Sequence, residues 1–289
     1  MPFDHASLTT HVFSESRQDY KARDTILYAL GLGVGDDPVD PGQLRFVYEN
    51  GLRALPTMGV VLAHPGFWAG DPALGIDWVK MLHVGQGLTI HRSLPVEASV
   101  IGRQRIADVV DRGADKGALL YYERDVIDAA TGDHLATVRQ TLLCRGNGGF
   151  GGPAREIPDA VRIPERTPDQ ILTRKTLPQT GLLYRLSGDI NPLHADPAVA
   201  TKAGFPRPIL HGLATYGIAG YSLLTALCGG DPEEFREFDV RFTSPVFPGE
   251  TIRTELWRED DVVLLRASVV ERGKVVLDNG RAVIGGPGR

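Results

Sequence analysis

Two stretches of this chain run through the same succession of local signals, and a repeated order of elements constrains a fold more tightly than any single motif. Tyr28-Ala29-Leu30-Gly31 lines up with Tyr184-Arg185-Leu186-Ser187, each closing a short amphipathic helix. A turn built from glycine, aspartate and proline follows in both halves, at 35–38 and at 188–192. Leu55-Pro56-Thr57-Met58-Gly59 then parallels Leu213-Ala214-Thr215-Tyr216-Gly217. Leu94-Pro95 and Phe247-Pro248 mark the entries to alternating, β-rich segments: 99–110, 118–128 and 134–144 in the first half, 251–259, 262–271 and 275–284 in the second. Each half therefore reads as helix first and antiparallel meander second, an α+β layer in which one buried helix packs against a sheet. The expected division is an N-terminal repeat over 1–147, a linker over 148–169 and a C-terminal repeat over 170–289. Glycines and prolines crowd the connector, which has no apolar period. Gly146, Gly148 and Gly151 happen to match the spacing of a dinucleotide fingerprint, but Pro153 and Pro158 forbid the helix that gives that pattern meaning.

The halves differ where chemistry could sit. The turn after Tyr184 holds Asp189, Asn191 and His194; the matching turn after Tyr28 has neither histidine nor asparagine. Residues five apart point to different faces of a helix or strand, so Asp189 and His194 converge only if the backbone bends between them. Gly188 and Pro192 make that bend: glycine tolerates positive φ, and proline pushes Asn191 out of the helical region. Asp196 and Pro197 start a short helix that Gly204 stops, and the apolar run beginning at Leu213 reads as a buried helix opened by His211-Gly212. The first amide of such a helix lacks an intrahelical partner, so the Gly212 N–H is free to meet a polarised oxygen such as a thioester carbonyl. His211 reads equally as a cap of that helix or as part of the site. His64, His91 and His134 show no partners in the sequence and receive no role.

Composition closes off several classes. A chain of 289 residues, 42% hydrophobic and 23% charged, has material for a substantial core. No run approaches the ~18 apolar residues of a membrane span, and the N-terminal stretch has neither a basic start nor an apolar segment, so the expectation is a cytoplasmic protein with no membrane partner. A net charge of -5 argues against nucleic acid, although Arg103, Arg105, Arg112 and Lys116 form a local basic excess suited to a phosphorylated ligand. Cys144 and Cys228 each sit in apolar sequence and read as core thiols rather than disulfide or metal ligands.

The stretch from Tyr184 through Ala200, with its Gly-Asp, Asn-Pro and Leu-His pairs, resembles the signature of the MaoC-like type 2 enoyl-CoA hydratases. Residues 26–31, 55–57, 148–152, 203–205 and 208–212 extend the resemblance over nearly the whole chain, in the two-repeat form found in the hydratase 2 part of peroxisomal multifunctional enzyme type 2. The resemblance implies a double hot-dog fold, each long helix wrapped by a curved antiparallel sheet. It also implies (R)-specific addition of water to trans-2-enoyl-CoA, with no metal or cofactor beyond the acyl-CoA substrate. In that scheme Asp189 and His194 hold and activate one water, Asn191 orients the water or the His194 ring, and the Gly212 N–H stabilises the oxyanion. The degenerate first repeat makes room for the acyl chain. By the same similarity His83, Val84, Arg112 and Phe242 contact coenzyme A; the family has glycine where Val84 stands and usually lysine where Arg112 stands, which leaves Lys116 as the alternative cation. Two other readings are a hot-dog acyl-CoA thioesterase and a non-catalytic acyl-CoA binding module, since a fold does not choose its chemistry. Sheet edges needing protection point to a homodimer.

Overall fold

The structure, a computed structural model, describes residues 3–153 and 161–285. Ten strands form one antiparallel sheet: β1 (Ser16–Tyr20), β2 (Met81–Ile90), β3 (Ala98–Asp111), β4 (Ala118–Asp128), β5 (His134–Cys144), β6 (Gln170–Lys175), β7 (Phe235–Phe242), β8 (Thr251–Glu259), β9 (Val262–Val269) and β10 (Lys274–Ile284). Their spatial order is β1-β3-β4-β5-β2-β7-β10-β9-β8-β6. Read outward from the β2–β7 seam, the two halves repeat the same order, so the sequence repeat is also a repeat of topology. The six segments expected as strands became β3, β4, β5, β8, β9 and β10, with ends within two residues. Three of the remaining four carry no clear strand signal for local reasons. β1 and β6 are polar edge strands, whereas β2 carries Gly85 and Gly87 in its middle. A side chain at Gly87 would meet Asp239 and Arg139 from the flanking strands, so those glycines let the two half-sheets close on each other.

Among the described residues six α-helices accompany the sheet: α1 (His5–Thr9), α2 (Ala22–Gly31), α3 (Pro41–Leu44), α4 (Thr180–Tyr184), α5 (Pro197–Lys202) and α6 (Gly212–Leu227). α6 spans roughly 24 Å at 1.5 Å per residue and is buried from Ala214 to Leu224. A helix apolar all round belongs inside a protein, and the second half-sheet wraps it as a hot-dog fold requires. The first half differs from expectation. Where it should hold a long central helix, Pro56–Val60 forms only a five-residue 3-10 turn. Its side chains are fully buried, but Pro56 sits at the first helical position and Pro65 with Gly66 interrupts the chain soon after, so no long helix can propagate.

α6 leans on the first repeat through its glycines. A Cβ at Gly217 would lie 2.8 Å from the Leu32 methyls and 3.0 Å from the Tyr28 hydroxyl; one at Gly220 would lie 2.5 Å from the Thr57 methyl. The matched tyrosines Tyr28 and Tyr184 meet with ring centroids 5.9 Å apart, and Gly31 lets α2 approach the Tyr184 backbone. One apolar core accordingly contains residues of both repeats, and a second, smaller cluster around Leu8, Ile106, Leu120, Tyr122 and Cys144 lies within the first. Both cysteines are free and buried.

Candidate active site

The bend between Asp189 and His194 is made as the residue types demand. Gly188 takes a φ of 118°, and Asn191, at φ -53° and ψ 122°, leaves the helical region ahead of Pro192. Pro192–His194 is a single 3-10 turn, and the Asp196 carboxylate then caps α5 by accepting from the Ala198 and Val199 amides. One carboxylate oxygen of Asp189 and one ring nitrogen each from His194 and His211 lie within 4.8 Å of one another. The convergence expected for Asp189 and His194 is thus present, with His211 as a third member.

Hydrogen bonds fix both imidazoles. His194 Nδ1 donates to the Ile209 carbonyl at 2.9 Å, which leaves a lone pair on Nε2. His211 Nε2 donates to the Asp189 carbonyl at 3.1 Å. His211 therefore lines the site; as the N-cap of α6 it makes no side-chain cap bond. Its Nδ1 is buried and unpaired. The two rings stack with centroids 3.8 Å apart and planes inclined by 30°. Burial lowers the pKa of His194, with the bond to Ile209 and the Asp189 charge opposing. His211 is pushed down to about 4, by burial first and by the neighbouring His194 second. Both rings are therefore neutral at pH 7. Among the described residues Asp189, His194 and His211 form the one group able to offer a metal three donors. Stacked rings, however, carry their in-plane lone pairs side by side, whereas a metal about 2.0–2.1 Å from each nitrogen needs them to meet.

Asn191 is brought to the turn, but its Oδ1 accepts from the Leu193 amide at 3.0 Å and its own amide donates to Asp189 Oδ1 at 3.1 Å. It shapes the turn and makes no bond to the His194 ring. Gly212 is the exposed first residue of α6, and its amide has no partner among the described residues. A Cβ there would lie 3.3 Å from the Phe242 ring, which accounts for a glycine. Phe242 in turn meets His83 edge-on at 5.0 Å, and the His83 ring folds back to donate to the Gly85 carbonyl at 2.9 Å. Val84 sits in the bulge between His83 and Gly85 where β2 slips against β5. Gly212, Phe242, His83 and Val84 thus form one lip.

Arg112 and Lys116 are not gathered there. Both are exposed in the β3–β4 hairpin, which packs on the glycine connector through Asp111, an acceptor for the Gly149 and Gly151 amides. The histidines given no role do have partners. The His91 and His134 rings lie tilted at 38° with centroids 4.1 Å apart and both bond Thr137, which makes them a surface pair. His64 accepts the Gly66 amide at Nδ1. Its pKa is lowered by desolvation first and by the Arg124 charge second, with Asp189 opposing; retained solvent exposure tempers the desolvation. His64 thus feels the charge of Asp189. No sequence signal marks it, since it belongs to no motif and has no counterpart in the second repeat. A surface groove lined by Ile90, His91, Leu227 and Arg258 lies at the far end of α6 from Gly212 and belongs to none of this chemistry.

Residues 159–280 match the MaoC like domain, and residues 18–146 match the MFE-2 hydratase 2 N-terminal domain. The chain is 40% identical to the peroxisomal enoyl-CoA hydratase 2 of Arabidopsis thaliana, over 95% of its own length and 94% of the relative's. It is also 40% identical to 3-hydroxyacyl-thioester dehydratase Y of Mycobacterium tuberculosis, over 91% and 92% of the two chains. The crystal structure of a MaoC-like dehydratase from Phytophthora capsici superposes with a TM-score of 0.86 at 34% identity, covering 97% of this chain and 98% of that one. Two family models laid end to end on the two repeats, and full-length similarity at this level, have one meaning: the chain belongs to the MaoC-like, two-repeat enoyl-CoA hydratase 2 family.

Proposed function

We propose that this protein is an (R)-specific 2-enoyl-CoA hydratase, adding water reversibly to trans-2-enoyl-CoA to give (3R)-hydroxyacyl-CoA. The observation that carries this reading is the convergence of the Asp189 carboxylate and the neutral His194 ring beside an unpaired helix-terminal amide at Gly212. Water held between Asp189 and His194 Nε2 gives up a proton as its oxygen bonds to C3. The π pair moves through C2 onto the thioester oxygen, where the Gly212 N–H offsets the charge, and a proton from the same pair of residues reaches C2. His211 holds the Asp189 backbone in place. Phe242, His83 and Val84 border the path to coenzyme A, whose phosphates Arg112 or Lys116 would meet. The reaction needs acyl-CoA and water but no redox group.

Incubation with crotonyl-CoA and with a long-chain enoyl-CoA, followed by chiral resolution of the product, tests the proposal. Loss of the conjugated enoyl absorbance with a 3R product supports it. Release of free thiol with an unsaturated acid and no hydroxyacyl product would make the protein a thioesterase, and binding without either product would make it a carrier. Residence in the cytoplasm and assembly as a homodimer are secondary parts of the same proposal; among the described residues no helix is long and apolar enough to cross a membrane. Light scattering on the eluting protein reads the second part directly.

A further inference from the structure

Arg124 is the largest fully buried side chain of the molecule, with 0% of its surface exposed. It points inward from β4, where Leu120 and Tyr122 belong to one apolar cluster and Val126 to the other, so the guanidinium marks the seam between them. Nη2 donates to the Val60 carbonyl at 2.8 Å, while Nε and Nη1 have no partner. Tyr122 is near enough to share charge with it, yet the phenol too lacks a hydrogen bond of good geometry. Gln104 stands directly opposite on β3, and its buried Oε1 is also unpaired. Four unsatisfied polar atoms therefore occupy three neighbouring positions in an otherwise apolar interior. A buried cation without a carboxylate costs several kcal/mol, so such a group implies an occupant.

The place of the cluster suggests which occupant. It lies in the repeat that lacks a central helix, against the end of the 3-10 turn that replaces it. His64 follows Val60 by four residues and feels the charges of both Arg124 and Asp189. The segment that Arg124 bonds at Val60 thus leads within four residues to His64. Resting on the hydratase reading above, we propose that Arg124 and Tyr122 bind an oxygen function carried on the acyl chain away from the thioester, a carbonyl or a carboxylate. The preferred substrate is then an oxygenated acyl-CoA rather than a plain alkyl one. Guanidinium and phenol donate to the incoming oxygen, and a site built to hydrogen-bond discriminates strongly against an analogue lacking the partner.

The test uses trans-2-enoyl-CoA esters of several lengths, each length ending in methyl, ketone or carboxylate. The full chain should favour an oxygenated series by about tenfold or more in kcat/KM, and the two oxygenated arms tell carbonyl from carboxylate. Arg124→Met should reduce that preference by a similar factor while leaving or raising turnover of the methyl-ended ester. Tyr122→Phe, a milder change, should move the ratio in the same direction and carries the test if Arg124→Met does not fold. No preference in the wild type, or a uniform change across all esters in both variants, would make Arg124 a structural arginine satisfied by buried water and overturn the proposal. Calorimetric binding of the saturated esters reads the same preference without catalysis. A chain that binds oxygenated esters selectively but hydrates none would sink the hydratase reading alone.

Discussion

Asp189 and His194, the proposed catalytic pair, are each anchored through a backbone carbonyl: that of Asp189 is fixed by His211, and the His194 ring is fixed by the carbonyl of Ile209. Replacing Asp189 with Asn or His194 with Gln removes a proton acceptor but keeps the shape, so turnover should fall by on the order of 10² to 10⁴. Circular dichroism should stay at wild type; near-wild-type hydration by both variants would remove these residues from the mechanism. A pH effect follows from the depressed histidine. Because burial lowers the His194 pKa below the ordinary 6.5, the ring stays neutral and able to accept a proton until the pH falls below that value. The acid limb of kcat/KM should therefore bend below pH 6.5, and an inflection at or above it would contradict the assignment. Stability should follow the same sign. His83 and His211 are held down to about 4, so between the unfolded value near 6.5 and that figure the unfolded chain binds more protons. Stability is whole above 6.5 and falls as the pH drops toward 4, by at most about 1.4 kcal/mol per pH unit for each ring. Urea midpoints across that range measure it.

Among the elements, α6 and the 3-10 turn Pro56–Val60 carry the main contrast. The long strands were legible because alternation survives in sequence: in β4, inward Leu120, Tyr122 and Val126 alternate with outward Tyr121, Glu123 and Asp125. The same alternation places Arg124 in the core, a signal plain in the sequence whose meaning needed the neighbours at Gln104 and Val60. The missing helix of the first repeat was only partly legible: Leu55-Pro56-Thr57 aligned with Leu213-Ala214-Thr215, but Pro65, which cuts the element short, has no counterpart in the proline-free α6. The turn at 188–194 was readable since glycine and proline dictate backbone locally, whereas the charges that His64 meets come from residues distant in sequence. The glycines of α6 give a direct test of helix placement. Gly220→Ala gains up to about 1 kcal/mol in helix propensity. It also drives a methyl into Thr57 at 2.5 Å, an overpacking that costs about 1–3 kcal/mol. The net should be a lower melting temperature, whereas a higher one would show that α6 does not rest on the first repeat.

For the molecule as a whole, one sheet and one principal core run through both repeats. Far-ultraviolet dichroism and tryptophan fluorescence should therefore report a single coincident unfolding transition, as expected when the two halves share their interior. Separate transitions would mean that the β2–β7 seam is only a docking surface. The seam itself was invisible in sequence, because Gly85 and Gly87 read as breaks when they are in fact clearances for the strands on either side. The flank of α6 marked by Gly217 and Gly220 has a last consequence. It is shaped to receive Leu32, Tyr28 and Thr57, so α6, and with it the amide of Gly212 proposed to meet the thioester oxygen, rests on the first repeat. Excising that repeat would strip a greasy furrow bare, and the surviving fragment would have to borrow a second copy of itself to cover it.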